Sequence, residues 1–200
     1  MRDWFRKNRI LATRIAAVAL LPVFLLSESA HSGTFLGTVL FALGLFLVGA
    51  GMMGRVWCSV YISGRKDRSL VVAGPYSVSR NPLYVSNFLG ALGVVLATET
   101  LTLPVLTGLL FAVFYPPVIA QEEDRLREMF GEGFESYSRR TPRFFPDFRR
   151  LDEPPEYSVD TALLRRTIHS ALWFLFIFGV IRILGDLHRL RVLPSWLRLY

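Results

Sequence analysis

The 200-residue chain is apolar and basic: 52% of its residues are hydrophobic, the mean hydropathy is +0.38 and the formal net charge is +7. This composition is too apolar for an ordinary soluble domain, and the apolar residues lie in blocks rather than at amphipathic spacing. The basic residues flank those blocks, so no soluble basic domain is left that could bind nucleic acid. We therefore expect an integral membrane protein whose partners are membrane lipids.

The first two of five apolar segments cover about residues 10–26 and 34–53. The first is open to two interpretations, a retained helix of a hairpin or a signal peptide, and the poor cleavage site after residue 26 favours the hairpin. The second is long enough to span a bilayer. Its recurring glycines have two interpretations: close packing against a partner helix, or the general abundance of glycine in membrane helices.

The third and fourth apolar segments, about residues 82–97 and 101–120, are joined by the tight link Thr98-Glu99-Thr100. Proline lacks an N–H and clashes with the preceding turn. The pair Pro116-Pro117 should therefore kink or break the fourth helix near its end.

The polar segment 121–160 should begin as a helix over 122–130, ended by Gly131 or Gly133, and then become irregular. A fifth apolar segment at about 168–184 predicts an extra C-terminal helix. The tail after it mixes arginine with leucine and tryptophan, which is typical of an interfacial stretch.

Basic residues precede the first span and lie between spans two and three and between spans four and five, whereas the links 27–33 and 98–100 contain neither Lys nor Arg. The positive-inside rule places the N-terminus and all three basic segments in the cytoplasm. Five spans would put the arginines of the tail outside, so either the tail lies at the far interface or the fifth segment does not span. We expect an all-α membrane bundle of about five helices, one domain over residues 1–200, in a bacterial inner membrane.

The sequence predicts no intramolecular disulfide, because Cys58 is its only cysteine. The three histidines, His31, His169 and His188, are scattered without metal-ligand spacing, so we also expect no metal site.

A first motif precedes the third span. In order, its residues are Gly74, Pro75, Tyr76, Ser77, Val78, Ser79, Arg80, Asn81, Pro82, Leu83 and Tyr84. Asn81 suits the N-cap of a helix and Pro82 its first position. The free N–H groups of that turn, together with Arg80, predict an anion site at the membrane surface.

Gly74 and Pro75 supply a turn into this site. Tyr76 and Tyr84 offer aromatic faces for an adenine or a sulfonium cation. In an alternative interpretation, Arg80 anchors the chain to lipid headgroups and Tyr84 belongs to an interfacial aromatic belt.

A second motif begins with Glu122 and Glu123, where the fourth span ends. Carboxylates at the C-terminal end of a helix oppose its dipole, so they need cationic partners. Arg127 could pair with Glu123 at i,i+4 spacing. Alternatively, a carboxylate receives a ligand's ammonium or hydroxyl groups while the Arg80 site binds the ligand's carboxylate. Three arginines of the polar segment would close over the site or bind anionic headgroups: Arg139, Arg140 and Arg143.

Together, in this order and separated by two apolar spans, the motifs resemble the isoprenylcysteine carboxyl methyltransferase and phospholipid methyltransferase superfamily of integral membrane enzymes. The resemblance covers about residues 70–146 and implies S-adenosylmethionine as cofactor, with a cytosolic segment capping its pocket. It implies catalytic roles for Arg80 and Glu123. The positions that match the family's cofactor pocket are Arg80, Asn81, Pro82, Tyr84, Glu122 and Glu123. The turn and the aromatic face described above add three further cofactor-binding candidates: Gly74, Pro75 and Tyr76.

The chain departs from the family's prenylcysteine enzymes just before the glutamates. Those enzymes carry an arginine there, whereas this chain reads Val118-Ile119-Ala120-Gln121. The resemblance therefore predicts a methyl acceptor that is lipid-like or isoprenoid, with a prenylcysteine carboxylate less expected.

Two other functions fit parts of the pattern. Sterol-type membrane reductases have a similar arginine- and proline-containing element and bind NADPH, but the acidic pair fits a methyltransferase better. A non-enzymatic protein that binds anionic lipid is the other alternative. The absence of a distinct general base does not oppose methyl transfer, since displacement at a sulfonium can proceed by proximity and desolvation.

Overall fold

A computed structural model describes residues 27–65 and 68–200. The first apolar segment, and with it the predicted N-terminal hairpin, lies outside the described residues. The helices are α1 (Phe35–Ile62), α2 (Pro75–Val78), α3 (Pro82–Leu96), α4 (Thr102–Phe130), α5 (Glu132–Arg140) and α6 (Thr161–Arg189). Two three-residue strands, β1 (Ser27–Ser29) and β2 (Leu197–Leu199), and a 3-10 turn (Phe148–Arg150) complete the described elements.

The predicted all-α membrane class is confirmed. Helices α1, α4 and α6 have 28, 29 and 29 residues and are long and apolar enough to cross a membrane. Helix α3 is apolar but has 15 residues. At 1.5 Å per residue it covers about 22 Å, less than the ~30 Å of a hydrocarbon core.

Helix α3 packs between α1 and α4, and α6 packs against both α1 and α3. Helices α1 and α3 approach at paired glycines, as the close-packing interpretation of the glycines predicts. A Cβ added to Gly93 would lie 2.6 Å from the main-chain oxygen of Gly44, and one added to Gly51 would lie 2.7 Å from Cα of Gly90. Only residues without a side chain permit this approach.

The C-terminal tail lies at one end of the bundle, here called the far end. Strand β2 pairs in parallel with β1, and the Leu101 N–H donates to the main-chain oxygen of Tyr200 at 2.9 Å. Arg182 of α6 forms an ion pair with Glu99 at 2.6 Å in the same region. Helix α6 therefore runs the length of the bundle, and the tail lies opposite the two motifs.

The opposite end, here called the site end, carries α2, α5 and a connecting segment over residues 141–157. This segment crosses the first motif: the Arg80 N–H donates to the Pro142 oxygen (2.9 Å), the Asp147 N–H to the Val78 oxygen (2.9 Å) and the Gly74 N–H to the Asp152 oxygen (2.7 Å). The polar segment thus caps the start of α3, as expected.

Helix α4 continues through Pro116 and Pro117 to Phe130, so it does not break at the proline pair, and the predicted kink stays a prediction. An interrupted backbone is costly at membrane depth, which favours a continuous helix with a few bonds missing. Gly131 ends the helix with φ +49°, a conformation that glycine adopts readily.

Residues 132–140 are also helical rather than irregular. Glu132 and Glu135 lie in the first turn of α5, and Arg139 and Arg140 lie in its last turn, so the charges complement the helix dipole. Phe134 is fully buried and anchors the inward face of this helix.

Candidate active site

Asn81 immediately precedes α3, and Pro82 is the first residue of that helix, as predicted. The side chain of Asn81 does not cap the helix, however. Its Nδ2 donates instead to the main-chain oxygen of Arg143 at 2.9 Å and to Glu123 Oε1 at 3.3 Å. Asn81 therefore links the start of α3 to the end of α4 and to the capping segment.

Glu123 is buried, with 11% of its side chain exposed, and lies between two arginines. Its Oε1 is 3.3 Å from Arg80 Nε, and its Oε2 is 3.1 Å from Arg143 Nε. The local alternative, pairing with Arg127, is wrong. Arg127 instead contacts Asp124 at 2.9 Å and Glu135 at 2.6 Å on the exposed surface.

Arg80 is held from two directions. Its NH1 donates to the main-chain oxygen of Ser138 in α5 at 2.9 Å. Its Nε lies within ion-pair distance of Glu123, but the buried N–H is not aligned for a hydrogen bond. The attraction between Arg80 and Glu123 is therefore mainly coulombic. The Nε–H of Arg80 makes no hydrogen bond within the described residues.

Glu122 faces Tyr84. The Tyr84 hydroxyl donates to Glu122 Oε2 at 2.8 Å, and its ring meets the edge of the Tyr115 ring with centroids 5.5 Å apart. Tyr115 stacks on Phe111 at 3.9 Å, and Phe111 lies 4.4 Å from Phe88. An aromatic strip, defined as Tyr84, Phe88, Phe111 and Tyr115, thus descends from the acidic pair between α3 and α4.

Sequence reasoning missed three members of this strip: Phe88, Phe111 and Tyr115. The signal was present, because Tyr84 and Phe88, like Phe111 and Tyr115, are spaced i,i+4 and so lie on one face of their helix.

Tyr76 lies in α2 and is buried, and its hydroxyl has no hydrogen-bond partner within the described residues. Burial raises the pKa of the Tyr76 hydroxyl well above its ordinary value, because the phenolate would lose its hydration, so the group is neutral. The main-chain oxygen of Tyr76 accepts from Tyr137 Oη at 2.8 Å. An orphaned buried donor of this kind is suited to a ligand atom.

Gly74 and Pro75 shape the turn rather than reaching the acidic pair. Gly74 has φ +59°, and a Cβ there would overlap the ring of Tyr61. Pro75 is buried at the first position of α2. These residues hold Tyr76 beneath the capping segment.

The three arginines that were predicted to close over the site occupy different places. Arg143 reaches Glu123 and is 46% exposed. Arg139 and Arg140 lie at the exposed end of α5, where Arg140 Nε donates to the Ser136 oxygen at 3.3 Å. Only Arg143 is therefore part of the buried cluster.

Ion pairs occupy the space between α3 and α4 at this cluster. A small cavity of about 40 Å³ lies instead at the far end, lined by Ser29, Glu99, Arg182 and His188 among others. Across residues 27–65 and 68–200, no group of three His, Cys, Asp or Glu side chains is placed to hold a metal ion.

The fold and site define a class: a helical membrane protein with a buried carboxylate–arginine cluster where two apolar helices meet a polar cap. The family model for phospholipid methyltransferases matches residues 32–133. The chain belongs to this family, and its membership points to a membrane methyltransferase.

Two relatives match almost the whole chain. The cobalt-zinc-cadmium resistance protein CzcN of Cupriavidus metallidurans is 37% identical over 96% of this chain and 89% of its own length. The nickel-cobalt-cadmium resistance protein NccN of Alcaligenes xylosoxydans xylosoxydans is 35% identical over 98% of this chain and 92% of its own.

A third relative covers less. The protein-S-isoprenylcysteine O-methyltransferase of Schizosaccharomyces pombe is 32% identical over 52% of this chain and 45% of its own length. No solved structure matches the chain.

Proposed function

We propose that the protein transfers a methyl group from S-adenosylmethionine to a lipid-like or isoprenoid acceptor at the cytosolic membrane face. The observation that carries this proposal is the buried Glu123 carboxylate between Arg80 and Arg143. Buried charges are costly unless they are paired, and this cluster offers both signs within one small volume. It suits a ligand that is itself zwitterionic.

The amino-acid end of S-adenosylmethionine is such a ligand. Glu123 would receive its ammonium, and Arg80, with its unaligned N–H, would receive its carboxylate. The Tyr84–Glu122 pair and the orphaned Tyr76 hydroxyl supply further polar groups for its ribose and adenine. The residues present therefore fit this cofactor.

When bound, the cofactor supplies an electrophilic methyl group on a sulfonium. The chain's own residues then have to orient the two reactants and exclude water, and α5 with the capping segment covers the start of α3 for this purpose. Arg80 and Glu123 act as positioning groups in this proposal. A neutral acceptor would release its proton to solvent or to a nearby carboxylate.

A lipid-like acceptor is favoured by the aromatic strip, which leads from Glu122 into the apolar part of the α3–α4 interface. Aromatic faces provide contact area for a hydrocarbon chain. Leu110 and Phe114 of α4, which adjoin Phe111 and Tyr115 on the helix, expose 44% and 58% of their surface, so the strip borders an apolar surface. The acceptor would enter sideways from the bilayer, and Arg143, which is half exposed, would meet its headgroup.

The proposal is tested with the purified chain in lipid nanodiscs. Methyl-labelled S-adenosylmethionine should deposit label in the lipid fraction, and Glu123→Gln should abolish this transfer. Label found only in water-soluble acceptors would reject the lipid acceptor. Oxidation of NADPH without methyl transfer would favour the reductase alternative, and the absence of both reactions would favour a non-enzymatic lipid-binding protein.

The names of two relatives refer to resistance to cobalt, zinc, cadmium or nickel. Resistance is a cellular outcome and is compatible with methyl transfer as the underlying reaction. We propose that both apply to this chain. Metal tolerance of a deletion strain complemented with the wild type or with Glu123→Gln tests this link, and equal tolerance would reject it.

A further inference from the structure

Arg55 is a charged side chain inside a membrane-length helix. It lies seven positions before Ile62, the last residue of α1, and therefore about 10 Å from the site end of that helix. Ionisable residues at such depth are costly and usually mark a functional contact. The family's two motifs do not include this residue.

The partners of Arg55 come from three helices and are all neutral. NH1 donates to Asn87 Oδ1 of α3, and NH2 donates to Ser170 Oγ of α6 at 2.8 Å. The guanidinium carbon lies 5.5 Å from the centroid of the Phe174 ring. These contacts orient the charge but do not neutralise it.

No carboxylate lies within 4 Å of the Arg55 guanidinium in residues 27–65 and 68–200. Its Nε is buried and has no hydrogen-bond partner there. A guanidinium has five donor hydrogens in a planar fork, so several remain for an anion. The described structure therefore leaves a full positive charge available at this point.

The three side chains of this cluster lie at similar distances from the site end of the bundle. Asn87 is five positions into α3 and Ser170 nine positions into α6, counted from the site ends of those helices. Ser170 is exposed, and Arg55 and Asn87 are partly exposed. The cluster therefore lies where α1, α3 and α6 meet, about two turns from the site end, and Ser170 exposes it at the side of the bundle.

The neighbouring side chains on α6 match the parts of a phospholipid in order. Arg166 is one turn nearer the site end than Ser170, and Trp173 is one turn farther into the membrane; both are on the same helix face. Trp173 is 60% exposed, as is typical of an interfacial aromatic residue. A phosphodiester at Arg55 and Ser170 would have a second cation above it and an apolar surface below it.

We propose that Arg55, Asn87 and Ser170 form a binding site for the phosphate of an anionic phospholipid in the leaflet at the site end. Arg55 supplies a charge-assisted contact through its free donors, Ser170 supplies a hydroxyl donor, and the Asn87 amide keeps the guanidinium oriented. Basic pockets between membrane helices are suited to such headgroups. The site is separate from the Arg80–Glu123 cluster and does not depend on methyl transfer.

The test uses the full chain in nanodiscs of phosphatidylcholine alone or of an equimolar mixture with phosphatidylglycerol. Lipids retained after transfer to detergent are counted by native mass spectrometry. The wild type should retain one phosphatidylglycerol per chain with at least about tenfold preference over phosphatidylcholine, since hydrogen bonds to charged groups contribute ~1.5–3 kcal/mol. Arg55→Gln should lose this preference, and Arg55→Lys should keep most of it.

Arg191→Gln, an exposed far-end variant, is the matched control and should behave as the wild type. If Arg55→Gln does not fold, Ser170→Ala still tests the site, because Ser170 is exposed and alanine is compatible with a helix; it should weaken retention severalfold. Equal retention of both lipids by the wild type, or unchanged retention in folded Arg55→Gln and Ser170→Ala, would overturn the proposal. Displacement of the lipid by inorganic phosphate would identify a soluble-anion site and also overturn it.

Discussion

Arg80 and Glu123 form an ion pair of 3.3 Å that joins the start of α3 to the end of α4. The pair connects the two motifs, and both side chains are largely buried. A zwitterionic ligand at this position would replace the ion pair with two contacts, one between its negative group and Arg80 and one between its positive group and Glu123. The pair therefore has a role in stability that must be separated from any role in binding.

Removing one member of the pair should destabilise the fold. Loss of one partner of a buried pair typically costs about 3–5 kcal/mol, and the partial exposure of Arg143, which also contacts Glu123, should reduce this value. Chemical unfolding in detergent should give a lower free energy of unfolding for Arg80→Gln and Glu123→Gln than for the wild type. The double variant should lose less than the sum of the two.

Arg127→Gln is the control for that series. Arg127 is 48% exposed and forms surface pairs that solvent screens, so its loss should change the free energy of unfolding little. A cost for the two buried-site variants no larger than that of Arg127→Gln would contradict the importance of the pair.

The close approach of α1 and α3 predicts a second effect. Gly93→Ala places a methyl group 2.6 Å from main-chain atoms of α1, and relieving such overpacking costs about 1–3 kcal/mol. Gly49→Ala has no heavy atom within 4 Å and should be neutral or slightly stabilising, because alanine favours a helix. Equal unfolding free energies for the two variants would show that the glycine contact does not determine the packing.

Local patterns predicted the parts of the fold that depend on local chemistry. The apolar blocks gave α1, α3, α4 and α6, the Asn81-Pro82 pair gave the start of α3, and Gly131 gave the end of α4. The acidic first turn and basic last turn of α5 are also visible in the sequence and favour a helix. The nearby prolines and glycines instead led to the prediction of an irregular segment.

The candidate site was only partly predictable, because its partners are distant in sequence. Nothing near Glu123 indicates that Arg143 rather than Arg127 contacts it, or that Asn81 turns its amide towards α4 instead of capping α3. The pairing of β1 with β2 is likewise a long-range contact between two short, featureless segments.

Tyr76→Phe should separate stability from binding. The substitution removes a buried hydroxyl that has no partner in the described structure, so the free energy of unfolding should stay the same or rise by about 1–3 kcal/mol. If the hydroxyl contacts the cofactor, as proposed, affinity for S-adenosylmethionine should fall at the same time. A variant that is both less stable and unchanged in affinity would contradict this assignment.

Alkaline pH should destabilise the protein through the same residue. The folded-state pKa of Tyr76 is raised by burial, and that of Tyr137 is also raised, mainly by burial. Their contribution to stability is complete below the unfolded-state pKa near 10 and is lost as the pH rises towards the folded-state values. The slope is about 1.4 kcal/mol per pH unit for each tyrosine.

Denaturant titrations between pH 9 and pH 11 test whether the free energy of unfolding falls as the pH rises. This range brackets the ordinary tyrosine pKa of about 10. Tyr76→Phe should show a shallower decline than the wild type. Identical slopes would mean that Tyr76 ionises equally well in the folded state.

Calorimetric titration of the nanodisc-embedded protein with S-adenosylmethionine tests the central claim most directly. Arg80→Ala and Glu123→Ala should each weaken binding by about 1.5–3 kcal/mol, the range for hydrogen bonds to charged groups, while Arg127→Gln retains wild-type affinity. Far-ultraviolet circular dichroism establishes that each variant remains folded. Equal affinity for the wild type and both folded variants, or no binding by the wild type, would contradict the account.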